Sequence, residues 1–149
     1  MAKPRLPEKR WTVDLEKRIQ EEHYSDSGYD LRYGFNPDSG KEIFVIDTPP
    51  PYPSGTWHIG AVAQYSMIDV IARSQRLLGK EVFFPWGVDR NGINIEFTVE
   101  KKHGKKMRTY DRGDFIDLCS ETIEEFTQAM RDTAARVGLS CDFSKEYLT

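Results

Sequence analysis

Residues 48 to 60 read Thr-Pro-Pro-Pro-Tyr-Pro-Ser-Gly-Thr-Trp-His-Ile-Gly, and no other stretch restricts the architecture as much. Each proline fixes its own φ and pushes the preceding residue out of the helical region, so the segment can be neither helix nor interior strand. It must be a stiff connection. On its N-terminal side Lys41 to Asp47 (KEIFVID) is β-branched and apolar, which predicts a buried strand. On its C-terminal side a helix pattern opens near Trp57 and runs to about Leu78, with Tyr65, Ile68, Ala72 and Leu77 as the buried stripe. Gly79 stands where a C′ glycine would end that helix. Glu81 to Phe84 (EVFF) reads as the next strand. Strand, long helix, strand is a βαβ unit, so the two strands should be parallel and the crossover right-handed.

Elsewhere the pattern is mostly helical. Asp14 to Tyr24 carries Trp11, Leu15 and Ile19 at i, i+4, i+8, one stripe of an amphipathic helix. Ser25 to Gly40 is rich in Ser, Asp, Gly, Asn and Pro and reads as a connecting loop. Ile93, Ile95, Phe97 and Val99 alternate as in a strand, yet Glu96 and the charged run after Val99 suit a helix equally, so this segment stays open. The last helix is clearer: Phe115, Cys119, Ile123, Phe126, Met130, Ala134 and Val137 recur at steps of three and four, and Gly138 stops it. The fold class is therefore α/β. No internal repeat appears, and no linker divides the chain into independent domains.

Composition removes several function classes. The 149 residues are 38% hydrophobic and 30% charged, suited to a globular chain and not to a disordered one. A net charge of -3 argues against a basic nucleic-acid wrapper, so any RNA contact must be local. No apolar run approaches the roughly 18 to 20 residues of a membrane span. The first ten residues are charged and proline-rich without a signal-peptide core, which makes a cytoplasmic location the expectation. Cys119 and Cys141 form no CxxC pair and read as reduced thiols. His23 and His103 have no evident partners.

The junction of the proline loop with the helix has chemical potential. A helix N-terminus offers unpaired N–H groups and partial positive charge, which suits phosphate. In an open parallel sheet, ligands sit beyond the carboxyl ends of the strands, where this loop lies. His58 could donate to a phosphate oxygen, and Gly60 leaves room for a flat base or ribose. Neither GxGxxG nor GxxxxGK[ST] is present, so a dinucleotide fold and a P-loop NTPase are unsupported. Two readings remain at this level: a nucleotide site, or a capped helix carrying a half-buried histidine.

The stretch Thr48 to Gly60 resembles the first signature, HIGH, of class I aminoacyl-tRNA synthetases together with its preceding proline loop. Asp69-Val-Ile-Ala-Arg73, Leu78-Gly79 and Phe84-Pro-Trp-Gly-Val-Asp-Arg-Asn-Gly92 with Glu96 are similar to the matching stretch of the valyl, isoleucyl and leucyl enzymes. The closing Gly138-Leu-Ser-Cys-Asp-Phe-Ser-Lys-Glu-Tyr147 resembles the segment these enzymes place before their inserted editing domain. The proline loop is most similar to archaeal-type valyl enzymes. The resemblance implies a Rossmann-like parallel sheet with helices on both faces: residues 1–40 form an N-terminal helix and connecting loop, residues 41–149 the first half of the catalytic domain. It implies activation of a branched aliphatic amino acid, valine above all, by ATP with accompanying Mg2+, and its transfer to tRNA.

Residue roles follow from the same resemblance. His58 would meet the ATP phosphates and act as the catalytic residue, with Gly60 beneath the adenosine. Thr48 and Pro49 would line the nucleotide end, and Pro50 and Tyr52 the wall around the amino-acid side chain. Asp89 would bind the substrate ammonium; its simpler reading is a turn aspartate between Gly87 and Gly92. Trp86 is either a pocket wall or core. Departures matter too: Ala61 stands at the fourth motif position, removing one side-chain donor, and Val88 with Arg90-Asn91 replaces the Trp and Cys-His often found around the acid. The second signature, KMSKS, is absent, and Lys105-Lys-Met-Arg108 is only compositionally similar to it. The expectation is therefore a fragment whose partners are tRNA, the amino acid and the remaining polypeptide bearing the KMSKS loop, with an exposed sheet edge where that remainder docks. The basic cluster Lys101 to Arg108 could touch a tRNA backbone or be a solvated loop. The alternatives are a small nucleotidyltransferase or a non-catalytic synthetase-like binding module.

Overall fold

The computed structural model describes residues 8, 10–23, 32–53 and 57–149. Along the chain lie α1 (Val13–His23), β1 (Ile43–Val45), α2 (Ile59–Leu77), β2 (Glu81–Phe83), β3 (Pro85–Val88), α3 (Ile93–His103), a 3-10 turn (Met107–Thr109), α4 (Arg112–Val137) and β4 (Asp142–Leu148). β1 pairs with β2 and β3 with β4, both parallel. β2 and β3 are separated only by Phe84. Phe83 O accepts from Ile46 N, whereas Phe84 O accepts from Asp142 N. Successive carbonyls of a strand point to opposite edges, so β1 and β4 flank the run Glu81–Val88 on either side.

Alternation along that run sorts the two faces. Val82, Phe84, Trp86 and Val88 are all buried and form one core with Tyr65 and Ala72 of α2 and Met130 and Ala134 of α4. Both crossover helices therefore cover the same face. Right-handed crossovers stepping in one direction across a sheet require this. The opposite face carries aromatic rings in place of a helix among the described residues: Phe35 lies 4.8 Å from Phe83, and Tyr147 sits over Gly87. Helices on both faces, expected above, are thus not found among the described residues. β1 is shorter than the expected Lys41–Asp47 and is not buried, with Ile43 49% and Val45 56% exposed on the uncovered face.

Two side-chain stripes also need correction. Leu77 is 89% exposed; the buried positions of α2 are Tyr65, Asp69 and Ala72. Val137 is exposed while the rest of the α4 stripe is buried or half-buried. The open segment resolves as helix α3. Ile95 and Val99 are buried against Phe115 and Ile123 of α4, and Ile93 and Phe97 face outward. Four apolar residues at steps of two make two i, i+4 pairs on opposite faces, which is why the period was ambiguous. The described part of the N-terminal helix ends at His23, and Tyr24 lies outside the described residues. Trp11, expected in its buried stripe, is 68% exposed. Gln20 ties this helix to α4 through a 3.0 Å bond to Arg136 O.

A buried polar knot locks the α2 crossover. Asp69 Oδ1 accepts from Ser140 N at 2.7 Å and from the Ser140 hydroxyl, and Oδ2 accepts from Arg73 Nε at 2.6 Å. Arg73 Nη2 reaches Gly138 O at 2.6 Å, and Arg76 Nη2 reaches Ser140 O at 2.8 Å. Both guanidiniums lie over the Tyr33 ring. Gly138 makes the turn at φ 81°, a left-handed conformation that a Cβ penalises. Gly138→Ala should lose about 1–2 kcal/mol in urea unfolding.

Both cysteines are free thiols. Burial pushes the Cys141 thiol from 9.0 up to about 12. The unfolded chain ionises this group above pH 9 while the native state retains its proton, so native stability should fall as pH rises from 9 to about 12. Cys141→Ala should flatten that decline, read from urea midpoints across the window. Among the described residues no helix is long and apolar enough to cross a membrane.

Candidate nucleotide and amino-acid site

The proline loop leaves β1 and crosses the C-terminal ends of the strands, its course set by one backbone bond from Asp89 N to Pro51 O, 3.0 Å. This joins the loop after β1 to the loop after β3, at the position where open parallel sheets bind ligands. A cleft of about 310 Å³ opens there between Pro49, Pro51, Tyr52, Trp57, His58, Ala61, Gln64 and Tyr65. Its wall is aromatic. Trp57 stacks on Tyr65 at 4.9 Å, and Trp86 lies behind Trp57 at 5.9 Å. Trp86 is core rather than pocket wall: it is buried, and its Nε1–H has no hydrogen-bond partner among the described residues.

His58 is the N-cap of α2 and is exposed, not half-buried. Its Nδ1 accepts from Gly60 N at 3.0 Å and Ala61 N at 3.4 Å. An accepting Nδ1 places the proton of the neutral ring on Nε2, which becomes the outward donor. The backbone N–H groups expected to meet phosphate are thus held by the imidazole. Gly60 permits this arrangement, because a Cβ there would stand 2.8 Å from His58 Cε1.

Tyr65 Oη donates to Pro49 O at 3.2 Å, and burial, with Tyr147 adding to it, raises this phenol to about 12. Tyr52 Oη donates to Gly92 O at 3.4 Å. Its pKa is also raised, by burial first and then by Asp89, Cys119 and Glu96, against the opposing Ile95 backbone bond. Both phenols therefore stay protonated at neutral pH. Asp89 is half-buried; its Oδ1 accepts from Asn91 N at 3.1 Å and Thr149 Oγ1 at 2.8 Å. No such bond falls on Oδ2 among the described residues, so the turn geometry of Asp89 coexists with a free carboxylate oxygen.

Pro49, Tyr52 and His58 share one cleft, and Asp89 lies close enough to Tyr52 to act on it electrostatically. Thr48 instead lines a neighbouring cleft of about 400 Å³ with Val45, Phe83, Pro85 and Tyr147. Pro50 is half-buried and lines neither. Sequence reasoning passed over Gln64 and Tyr65 as site residues, although their place one turn beyond Gly60 on the same helix could have shown them. The basic cluster is largely spoken for: Lys102 pairs with Glu125, Lys106 with Glu100, and Lys105 lies over the Tyr110 ring.

The family model for tRNA synthetases class I (I, L, M and V) matches residues 22–149. The chain belongs to this family. The class I chain is 44% identical to a valine–tRNA ligase of Archaeoglobus fulgidus over 91% of its own length and 16% of that protein's. It is 39% identical to that of Aeropyrum pernix over 97% of itself and 18% of the relative. A Rickettsia conorii valine–tRNA ligase is 44% identical over 78% and 14%. In fold it matches the LeuRS of an Agrobacterium radiobacter K84 LeuRS–tRNA–LeuAMS ternary complex with a TM-score of 0.65 at 23% identity, covering 92% of this chain and 15% of that one. This class I chain therefore spans less than a fifth of the length of each. The membership read from the motifs and the Rossmann-like class are both borne out.

Proposed function

We propose that this chain forms the first half of the catalytic domain of a valine–tRNA ligase, residues 41–149, preceded by an N-terminal part over residues 1–40. The observation that carries the reading is the meeting of the proline loop, the α2 N-terminus and the Asp89 loop at the carboxyl ends of parallel strands, in a chain similar to valine–tRNA ligases. The valine carboxylate attacks the α-phosphate of ATP, pyrophosphate leaves, and the aminoacyl group then passes from the adenylate to the terminal ribose of tRNA. No side-chain nucleophile is required, so the protein contributes position and charge stabilisation.

In this reading His58 Nε2–H meets the phosphates, with Gly60 under the adenosine and Pro49 and Thr48 at the nucleotide end. Pro50 and Tyr52 border the amino-acid side chain, and Asp89 Oδ2 receives the ammonium. The described residues lining the His58 cleft include no carboxylate, so Mg2+ would arrive on the triphosphate rather than on protein ligands. The remaining polypeptide, with its KMSKS loop, tRNA and a cytoplasmic setting belong to the same proposal. The exposed Ile43 and Val45 on β1 support docking of that remainder there. Ala61, which offers no side-chain donor, favours the second reading of a synthetase-like module that binds without catalysis.

Calorimetric titration with non-hydrolysable valyl-, isoleucyl- and leucyl-adenylate analogues tests the assignment. Tightest binding of the valyl analogue is expected. Preference for another analogue would move the specificity, and binding of none would remove the nucleotide site from this chain.

A further inference from the structure

The His58 cleft has a short inventory of hydrogen-bond donors. Pro49 and Pro51 have none, and Ala61 has no polar side chain. The Tyr65 and Tyr52 hydroxyls donate to Pro49 O and Gly92 O. The Gly60 and Ala61 N–H groups are held by His58 Nδ1. Among the described residues lining the cleft, this leaves three side-chain donors: His58 Nε2–H, the indole of Trp57 fixed by its stack on Tyr65, and the carboxamide of Gln64. Gln64 is exposed. Its side chain makes no hydrogen bond within the described residues.

Helical side chains lean toward the N-terminus, so a residue covers the surface over the turn before its own Cα. Gln64 lies three residues beyond Ala61 on α2, which places its reach over the Ala61 methyl. A larger side chain at position 61 would occupy that space; alanine leaves it open. Resting on the proposed function, we infer that Gln64 supplies the phosphate-binding donor that Ala61 lacks, so that the ATP triphosphate lies between His58 Nε2–H and the Gln64 amide.

The test is calorimetric titration of the full chain, in magnesium, with ATP and separately with a valyl-adenylate analogue that has no β- or γ-phosphate. Gln64→Ala should weaken ATP about tenfold or more, the value of a hydrogen bond to a charged group, and leave the analogue unchanged. Adding Ala61→His to Gln64→Ala should restore ATP binding. If Gln64→Ala binds ATP as the parent does while His58→Ala loses it, this inference falls and the nucleotide site stands. Equal loss of both ligands would mark Gln64 as structural and overturn it as well. If the parent chain binds neither ligand, the inference and the site are overturned together.

Discussion

Replacing Asp69 with alanine should cost about 3 kcal/mol of folding stability, at the lower end for breaking a buried ion pair. The carboxylate is buried, and it is the acceptor for both the N–H and hydroxyl of the fully buried Ser140. Alanine would strand that N–H and leave two guanidiniums beside it. Arg73 itself is 40% exposed on its side chain, so water can recover part of its loss, and this holds the figure below the upper end. Asp69→Asn should cost less, because its amide oxygen can still accept from Ser140 N. Urea unfolding of the two variants beside the parent decides it. If Asp69→Ala shifts the midpoint no more than an ordinary surface substitution, the knot is not what fixes the crossover.

The largest functional effect belongs to Asp89. Asp89→Ala should weaken a valyl-adenylate analogue by about 2 kcal/mol or more, some thirtyfold, as expected for removing one partner of a hydrogen-bonded charge pair. A turn aspartate would give a different outcome, and Asp89→Asn separates the two. Asparagine keeps an oxygen that can accept from Asn91 N and Thr149 Oγ1, but it has no charge. Loss of binding in Asp89→Asn with an unchanged unfolding midpoint assigns the ammonium contact. Retained binding in Asp89→Asn reduces Asp89 to a turn-former.

What the sequence made legible follows from how local each signal is. The described part of the proline loop, the α2 boundaries and the Gly138 stop are written in neighbouring residues, and all are seen in the structure. The family was readable because several motifs fall in order. The exposure of β1 was not, because KEIFVID is apolar on both sides and burial depends on what covers the strand. Nor was the identity of β4, whose Asp142, Ser144 and Glu146 hide a strand; Asp142 is buried because its carboxylate accepts from Phe35 N and Ser144 N. At the site, His58 and Gly60 were singled out for a ligand. That the ring of one closes over the backbone of the other is a conformational fact, and no spacing rule states it.

The one-sided covering of the sheet has a consequence for how freely this chain can vary. Along Glu81–Val88 every even-numbered side chain is enclosed by two helices, while on the other face of the run, in the described residues, Glu81 meets Asn36 N and Lys41, Phe83 meets Phe35, and Gly87 meets Tyr147. Tolerance to polar replacement should therefore oscillate with a period of two residues, low at Val82, Phe84, Trp86 and Val88 and higher at Glu81, Phe83 and Pro85. Gly87 should break the rhythm, since any Cβ there meets the Tyr147 ring at 2.3 Å. Substitutional drift in this chain is thus channelled onto one side of a single strand run.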